Sequence, residues 1–169
     1  MEPLAHRLRP TKLSDVIGQE YLTGKDGIIT KMIENNHLQS FVLYGGPGTG
    51  KTTIGKIIKE MYSLESYEFN ASSDSKAILQ EITNLTKFYP NVILIIDEIH
   101  RMKKDTQDYL LPYLEDGRIT IIGLTTSNPY ISINKAIRSR LNIYQMNSIT
   151  EKDIVNLLKR TIKLDEFKD

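Results

Sequence analysis

Residues 44–53, YGGPGTGKTT, leave the chain few ways to fold at this point. An apolar run over Phe41–Tyr44 precedes the stretch, and Ile54, Ile57 and Ile58 follow it at the spacing of one helix face. Glycine and proline between two apolar segments indicate a loop. The sequence therefore predicts a strand, a glycine-rich loop and a helix, in that order.

The loop matches the pattern G-x-x-x-x-G-K-[ST] in full. Glycines let a backbone wrap closely and direct successive N–H groups at anionic oxygens, and the helix that follows adds the positive end of its dipole. Lys51 supplies a mobile charge for β- and γ-phosphates, and Thr52 offers a hydroxyl to Mg²⁺. A glycine-rich turn with a chance lysine is the alternative, but it leaves the flanking strand and helix unexplained. We expect ATP or ADP with Mg²⁺ to contact Gly45, Gly46, Pro47, Gly48, Thr49, Gly50, Lys51, Thr52 and Thr53.

A second apolar run, residues 92–96, ends in Asp97 and Glu98. Its continuous hydrophobicity is typical of a central strand buried on both faces. Ligands of α/β sheets bind at the carboxyl ends of the strands. Asp97 is therefore the expected Mg²⁺ partner, and Glu98 the expected base that polarises water for attack on a γ-phosphate. A solvated acidic turn would not explain the buried strand before the pair.

Other short runs rich in isoleucine, valine and tyrosine predict strands at 67–70, Ile119–Thr125 and 143–146. Amphipathic segments between and after the strands predict helices at 52–62, 76–88, 106–115 and 151–163, with a kink at Pro112 in the third. Ser148 with Glu151 and Thr150 with Asp153 offer two overlapping capping boxes before the last helix. Strands that alternate with helices indicate an α/β fold with a parallel sheet covered on both faces.

Composition excludes several classes of site. The chain contains no cysteine, which excludes disulfides, thiol nucleophiles and cysteine-ligated zinc. Its three histidines show no metal-ligand spacing, and a net charge of +1 provides no global field toward nucleic acid or membranes. The N-terminal residues carry no signal-peptide core, and the run 92–96 is too short to span a bilayer. A cytoplasmic location fits these features.

The phosphate loop, Asp97–Glu98, the TTSN tract at 125–128 and Ser139–Arg140, in that order, resemble an AAA+ ATPase. Residues 97–129, DEIHRMKKDTQDYLLPYLEDGRITIIGLTTSNP, resemble more narrowly the RarA/MgsA family, which is related to the eukaryotic Werner-helicase-interacting ATPase. The likeness covers roughly residues 8–158. It implies a five-stranded P-loop NTPase sheet in the order 5-1-4-3-2. It also implies an ATPase core over 1–148 and a helical lid that begins at 149–169 and is truncated there.

The resemblance also implies roles for individual residues. Arg9-Pro10 and VIGQ at 16–19 resemble the nucleotide-contacting segment of clamp loaders and RuvB-like helicases, which places Leu8, Arg9 and Ile17 beside the adenosine. Asn128 matches the sensor 1 residue that orients the attacking water, although an asparagine before Pro129 also starts turns.

Two further roles concern catalysis. Arg140 matches the arginine finger that acts on the nucleotide of a neighbouring subunit, with Arg138 as the alternative on the other side of Ser139. Asn70, at the end of a predicted strand, matches the polar residue that restrains the catalytic Glu98 in this superfamily.

The resemblance implies a bacterial, nucleoid-associated ATPase that acts on DNA forks, single strands or ends, and that assembles as a homo-oligomer, with a tetramer as the expected form. Single-strand-binding protein or replisome components are the implied partners. A clamp-loader subunit, to which residues 68–74 (EFNASSD) are similar, and a RuvB-like branch-migration motor are the alternative enzymes. A nucleotide-binding scaffold is the non-enzymatic alternative, against which intact Lys51, Thr52, Asp97 and Glu98 argue. Small basic clusters at Arg101–Lys104 and Arg7–Lys12 fit a solvated face or a DNA contact.

Overall fold

A computed structural model describes residues 3–62 and 64–163. At its centre lies one parallel sheet of five strands, β1 (Phe41–Tyr44), β2 (Ser66–Asn70), β3 (Val92–Asp97), β4 (Ile119–Thr125) and β5 (Asn142–Gln145). Their order is β2-β3-β4-β1-β5, so the α/β class and the predicted order 5-1-4-3-2 are confirmed. Each predicted strand lies within one residue of its observed bounds.

Helices follow the strands on both faces of the sheet. Within the described residues, four of them exceed seven residues, namely α4 (Lys51–Met61), α5 (Lys76–Leu85), α6 (Lys104–Glu115) and α9 (Glu151–Ile162). The short ones are α1 (Leu4–Arg7), α2 (Glu20–Thr23), α3 (Ile28–Glu34), α7 (Pro129–Ser132) and α8 (Lys135–Arg138), and 3-10 turns cover Leu13–Asp15 and Ile99–Arg101.

The long helices agree with the prediction in place and differ in detail. Helix α6 begins two residues earlier than predicted and continues through Pro112 as one element. Helix α5 ends at Leu85, three residues before the predicted end. Of the two predicted capping boxes, Thr150 with Asp153 forms at the start of α9: the backbone N–H of Thr150 donates to Asp153 Oδ2 at 2.9 Å, and the backbone N–H of Asp153 donates to Thr150 Oγ1 at 3.2 Å.

Alternating residues of the central strands divide the core into two layers. On one face Leu94 and Ile96 of β3 pack with helices α5 and α6, whereas Ile93 and Ile95 pack on the other face with α4. The residues Val92–Ile96 are all at most 5% exposed. This two-sided burial explains why β3 is continuously apolar in sequence up to Ile96.

Helix α9 contains no buried residue, and Ile154, Val155, Leu158 and Ile162 on it are exposed. The interpretation of residues 149–169 as the beginning of a helical lid stays a proposal, and 164–169 lie outside the described residues. Within the described ranges, every helix is too short or too polar to cross a membrane.

One close approach links the sheet to the turn that follows β3. A Cβ at Gly123 of β4 would lie 2.9 Å from Ile99 Cδ1 and 3.0 Å from Val42 Cγ2. Glycine at this position therefore allows Ile99, which directly follows Glu98, to pack flat on the sheet. Because Gly123 has no side chain, Ile99 can lie close to β4, and this contact sets the distance between the sheet and the turn that carries Glu98.

We predict that Gly123→Ala lowers the free energy of unfolding by about 1–3 kcal/mol, because the added methyl overpacks this contact. Ile99→Val removes the Cδ1 atom that the methyl would meet. The double variant should therefore lose less stability than the sum of the two single variants, as measured by urea unfolding. Strict additivity of the two losses would show that the methyl and Ile99 do not compete for the same space.

Candidate functional site

An open pocket of about 560 Å³ lies at the carboxyl edge of the sheet. The loop after β1, the first turn of α4, and the ends of β2, β3 and β4 form its wall. Its lining residues are Pro47, Gly48, Gly50, Lys51, Thr52, Thr53, Asn70, Asp97, Glu98, Thr125 and Thr126. The structure therefore brings together most of the predicted phosphate loop and both predicted carboxylates.

The phosphate loop contains two residues with a left-handed backbone. Gly48 has φ 74° and Gly50 has φ 100°, values that favour glycine. Within the described residues, the backbone N–H groups of Gly48, Gly50, Lys51 and Thr52 donate to no protein acceptor, as expected for a loop that runs into a helix N-terminus. These unpaired donors fit a bound phosphate group.

Lys51 lies over this loop and bonds to its polar atoms. Its Nζ donates to the carbonyl oxygens of Gly45 (2.8 Å) and Gly46 (2.6 Å) and, at 3.3 Å, to the hydroxyl of Thr49. Burial lowers the pKa of Lys51, and the nearby charge of Asp97 raises it in part. A phosphate at this place would supply the full anionic partner that neutral carbonyl groups do not.

Glu98 occupies a strained backbone position. Its φ of 52° and ψ of 42° are left-handed, a conformation that costs a non-glycine residue about 1–3 kcal/mol. Its backbone N–H donates to Asp97 Oδ1 at 2.9 Å, and its Oε2 accepts a bond from the hydroxyl of Ser72. Strain of this kind concentrates at functional sites, where the surrounding structure holds the residue in place.

The residue that holds the Glu98 carboxylate in this structure is Ser72, which the sequence did not single out. Asn70, for which this role was expected, accepts a 2.8 Å bond from the backbone N–H of Ser72. This bond positions the loop that presents Ser72, and Asn70 itself also lines the pocket. No pattern within the sequence distinguishes Ser72 from Ser73 beside it.

The end of β4 contributes Thr125 and Thr126 to the pocket. The hydroxyl of Thr125 is tied to His100 Nδ1 (2.8 Å) and to the backbone N–H of Ser127 (3.0 Å). Asn128, the expected sensor 1 residue, lies outside the residues that line the pocket. Its Oδ1 instead accepts from Tyr130 N at 2.9 Å and caps α7, the turn-forming role that its position before Pro129 also suggested.

Arg140 also lies apart from this pocket. Its guanidinium bonds to Ala136 O at 3.1 Å and to Glu115 Oε1 at 3.0 Å, with 41% of the side chain exposed. Arg138, the alternative arginine, donates instead to the carbonyl oxygen of Tyr130. Arg140 therefore has the accessibility that contact with a second molecule requires.

A smaller, mainly apolar pocket of about 230 Å³ adjoins the phosphate loop. Ile17 lines it, whereas Leu8 and Arg9 are absent from its lining. Helix α9 and the residues before it form the opposite wall. Pro10 and Val16, from the segments that resemble a nucleotide-contacting region, also line this pocket. The lining residues that the sequence did not single out are Ile149, Asp153, Ile154 and Leu157. A base placed here would contact both the N-terminal segment and α9.

A metal site made by protein side chains alone is not found among the described residues, since no group of three acidic, histidine or cysteine side chains is close enough. Thr52 and Asp97 line the same pocket beside the phosphate loop. Mg²⁺ takes few ligands from the protein when substrate phosphates supply the others. The residues present therefore fit a magnesium ion that binds together with a nucleotide.

Residues 8–153 match the family model for the Holliday junction DNA helicase RuvB P-loop domain. Replication-associated recombination protein A of Bacillus subtilis is 46% identical over 162 residues, which cover 96% of this chain and 38% of that relative. ATPase WRNIP1 of Dictyostelium discoideum is 42% identical over 169 residues, which cover 96% of this chain and 19% of the relative. The chain thus spans well under half the length of these relatives.

Solved structures of RuvB resemble this chain in fold. The Thermotoga maritima RuvB Holliday junction branch migration motor superposes with a TM-score of 0.76 at 26% identity. That alignment covers 94% of this chain and 55% of the solved chain.

We predict that Glu98→Gly is more stable to urea than Glu98→Ala by about 1 kcal/mol, because only glycine adopts the left-handed backbone without cost. The comparison of two variants that both lack the carboxylate isolates the backbone effect. At Glu81, an exposed position inside α5, the order should reverse and alanine should be the more stable by a similar amount. Equal or greater stability of the alanine variant at position 98 would contradict the strained assignment.

Proposed function

Because this chain belongs to the RuvB P-loop domain family of AAA+ ATPases, with RarA and WRNIP1 proteins among its relatives, we propose that it binds and hydrolyses ATP with Mg²⁺. The observation that carries the proposal is the set of unpaired N–H donors and the Lys51 ammonium facing one pocket with Asp97 and Glu98. Unpaired donors and a cation attract a polyphosphate, and the carboxylates supply the groups that hydrolysis requires.

Different residues of the chain would bind the phosphates, hold the metal and accept the proton of the water. In this proposal the N–H groups of the phosphate loop bind and orient the phosphates, and Lys51 exchanges its bonds with the loop carbonyls for phosphate oxygens. Thr52 and Asp97 hold the metal, which when bound neutralises charge on the β- and γ-phosphates. Glu98 orients a water molecule and accepts its proton at a carboxylate oxygen. The bond from Ser72 occupies one acceptor site on Oε2, and the carboxylate keeps other acceptor sites for the water.

Roles for the remaining predicted residues belong to the same proposal. The adenosine would bind in the apolar pocket that Ile17 lines. Leu8 and Arg9 do not line this pocket and would need to move to contact the adenosine. Thr125 and Thr126 are better placed than Asn128 for contact with the γ-phosphate side. Arg140 would act on the nucleotide of a neighbouring subunit, because it is exposed and outside its own pocket.

The relatives point to the wider process. The name of the Bacillus subtilis relative associates it with replication and recombination. We propose that this chain supplies ATP-driven work on DNA in that process, as part of a homotetramer in the bacterial cytoplasm. Single-strand-binding protein and other replisome components are the proposed partners. A RuvB-like branch-migration motor is the second candidate, because the family model and the solved neighbours are RuvB domains.

We predict that Lys51→Ala abolishes most binding of ADP with Mg²⁺, since the loop loses the cation that it holds over the phosphates. Isothermal titration calorimetry measures the loss. Lys59→Ala is the matched control, because it removes an equal charge from the same helix, where Lys59 pairs with Glu68 at 3.0 Å. Equal affinity of the Lys51 variant and wild type would show that the loop is not the nucleotide site.

We predict that Glu98→Gln and Arg140→Ala chains each bind nucleotide and release phosphate slowly, and that mixing them restores part of the rate. Each supplies across a subunit interface what the other lacks, and an arginine finger is worth on the order of 10³–10⁵ in rate. Steady-state phosphate release is measured over a titration of the two, in conditions where wild-type chains form an oligomer.

Arg118→Ala is the control for loss of an arginine, because Arg118 is also 41% exposed and paired with a carboxylate. It should keep the wild-type rate. No recovery in mixtures whose co-assembly is confirmed would remove Arg140 from a role in trans, and undiminished release by Glu98→Gln alone would remove Glu98 from the role of base.

A further inference from the structure

Gln19 is a fully buried polar residue at the junction of three segments. Its Nε2 donates to the carbonyl oxygens of Thr49 (3.2 Å) and Asn147 (2.9 Å), and its Oε1 accepts from the backbone N–H of Asn147 at 2.9 Å. One amide group thus joins the N-terminal segment to the phosphate loop and to the chain that leaves β5. Both amide hydrogens and the amide oxygen are used, so only an amide of this length satisfies all three partners.

The bond to Thr49 acts directly on the phosphate loop. The carbonyl group of Thr49 belongs to the same planar peptide as the N–H of Gly50, so fixing one fixes the direction of the other. Gly50 is the N-cap of α4, and its N–H is among the unpaired donors of the candidate site. Gln19 therefore orients a donor of the phosphate loop while remaining outside the pocket lining itself.

The bonds to Asn147 act on the start of α9. Asn147 lies between the end of β5 and Thr150, the N-cap of α9, and Gln19 holds both of its backbone polar groups. Helix α9 buries no residue of its own, so its orientation is set mainly where it begins. Next to Gln19, Gly18 approaches the same region, since a Cβ there would lie 3.1 Å from Asp153 Oδ2 and 3.3 Å from Ile149 Cδ1.

We propose that Gln19 is a positioning residue that couples occupation of the phosphate loop to the orientation of α9. A shift of the Thr49–Gly50 peptide toward a bound phosphate displaces the acceptor of Gln19, and the same amide group transmits the shift to Asn147. Helix α9, whose Ile154 and Leu157 line the apolar pocket, then turns at its first residues. This inference rests on the proposed binding of nucleotide by the phosphate loop.

The test measures the distance between α4 and α9 with and without nucleotide. Because the chain has no cysteine, Glu60→Cys on α4 and Lys159→Cys on α9, both at exposed positions, accept spin labels at defined sites. Double electron–electron resonance is recorded with and without ADP and Mg²⁺. In the otherwise wild-type chain, nucleotide should shift or narrow the distance distribution.

Gln19→Met keeps the length and apolar volume of the side chain and removes all three bonds. It should weaken ADP binding by about tenfold or less, the effect of losing one oriented hydrogen bond, and should abolish the distance response at saturating ADP. Gln19→Glu keeps the acceptor for Asn147 N and lacks both donors, so it should also lose the response. Gln80→Met, at an exposed glutamine on α5, is the control and should respond as wild type does.

Circular dichroism establishes which Gln19 variants fold, and one folded variant is sufficient. A purely structural role would lower stability but leave the response of the folded molecules intact. A wild-type response in a folded, ADP-saturated Gln19 variant overturns the coupling, as does a wild-type chain that binds ADP without any change in distance. Absence of ADP binding by wild type in calorimetry would instead overturn the proposed function, and the coupling with it.

Discussion

The candidate site depends on the parallel alignment of β1, β4 and β3, which lie side by side and end at the same edge of the sheet. Tyr44 of β1 pairs with Thr125 of β4, and Ile96 of β3 pairs with Gly123 of β4. With β4 between them, the phosphate loop and the carboxylates at the end of β3 begin roughly 10 Å apart, two strand spacings. This gap is wide enough for phosphate groups, and the side chains at the end of β4 form its floor. A register slip of one residue in β4 would turn those side chains to the opposite face.

Several local features of the site are unfavourable by themselves. Glu98 has a left-handed backbone, and Lys51 is partly buried against neutral carbonyls. Among the described residues, the N–H groups of Gly48, Gly50, Lys51 and Thr52 donate to no protein acceptor. The core offsets these costs, because β3 is buried on both faces up to the residue before Asp97 and Ile99 packs on Gly123 directly after Glu98. Rigid elements on both sides of the acidic pair hold it in a conformation that the pair would not adopt alone.

Sequence reasoning succeeded where periodicity or a dense motif defines an element. The five strands, the four long helices and the phosphate loop follow from such signals, and the sheet order followed from the resemblance. Contacts between distant segments could not be predicted in this way. Ser72 meets Glu98 only because β2 and β3 are neighbours, and Gln19 meets Asn147 across 128 positions of sequence. Asn128 illustrates a choice between two local roles: in this structure its Oδ1 caps α7, and the sensor 1 role stays a prediction.

Hydrogen–deuterium exchange, followed by mass spectrometry with and without ADP and Mg²⁺, tests the central claim that residues 45–53 hold the phosphates. We expect slowed exchange in peptides that cover these residues, because N–H groups without a protein acceptor gain phosphate oxygens as acceptors. Unchanged exchange over residues 45–53 at a nucleotide concentration that saturates the protein, with protection elsewhere on the chain, would contradict it.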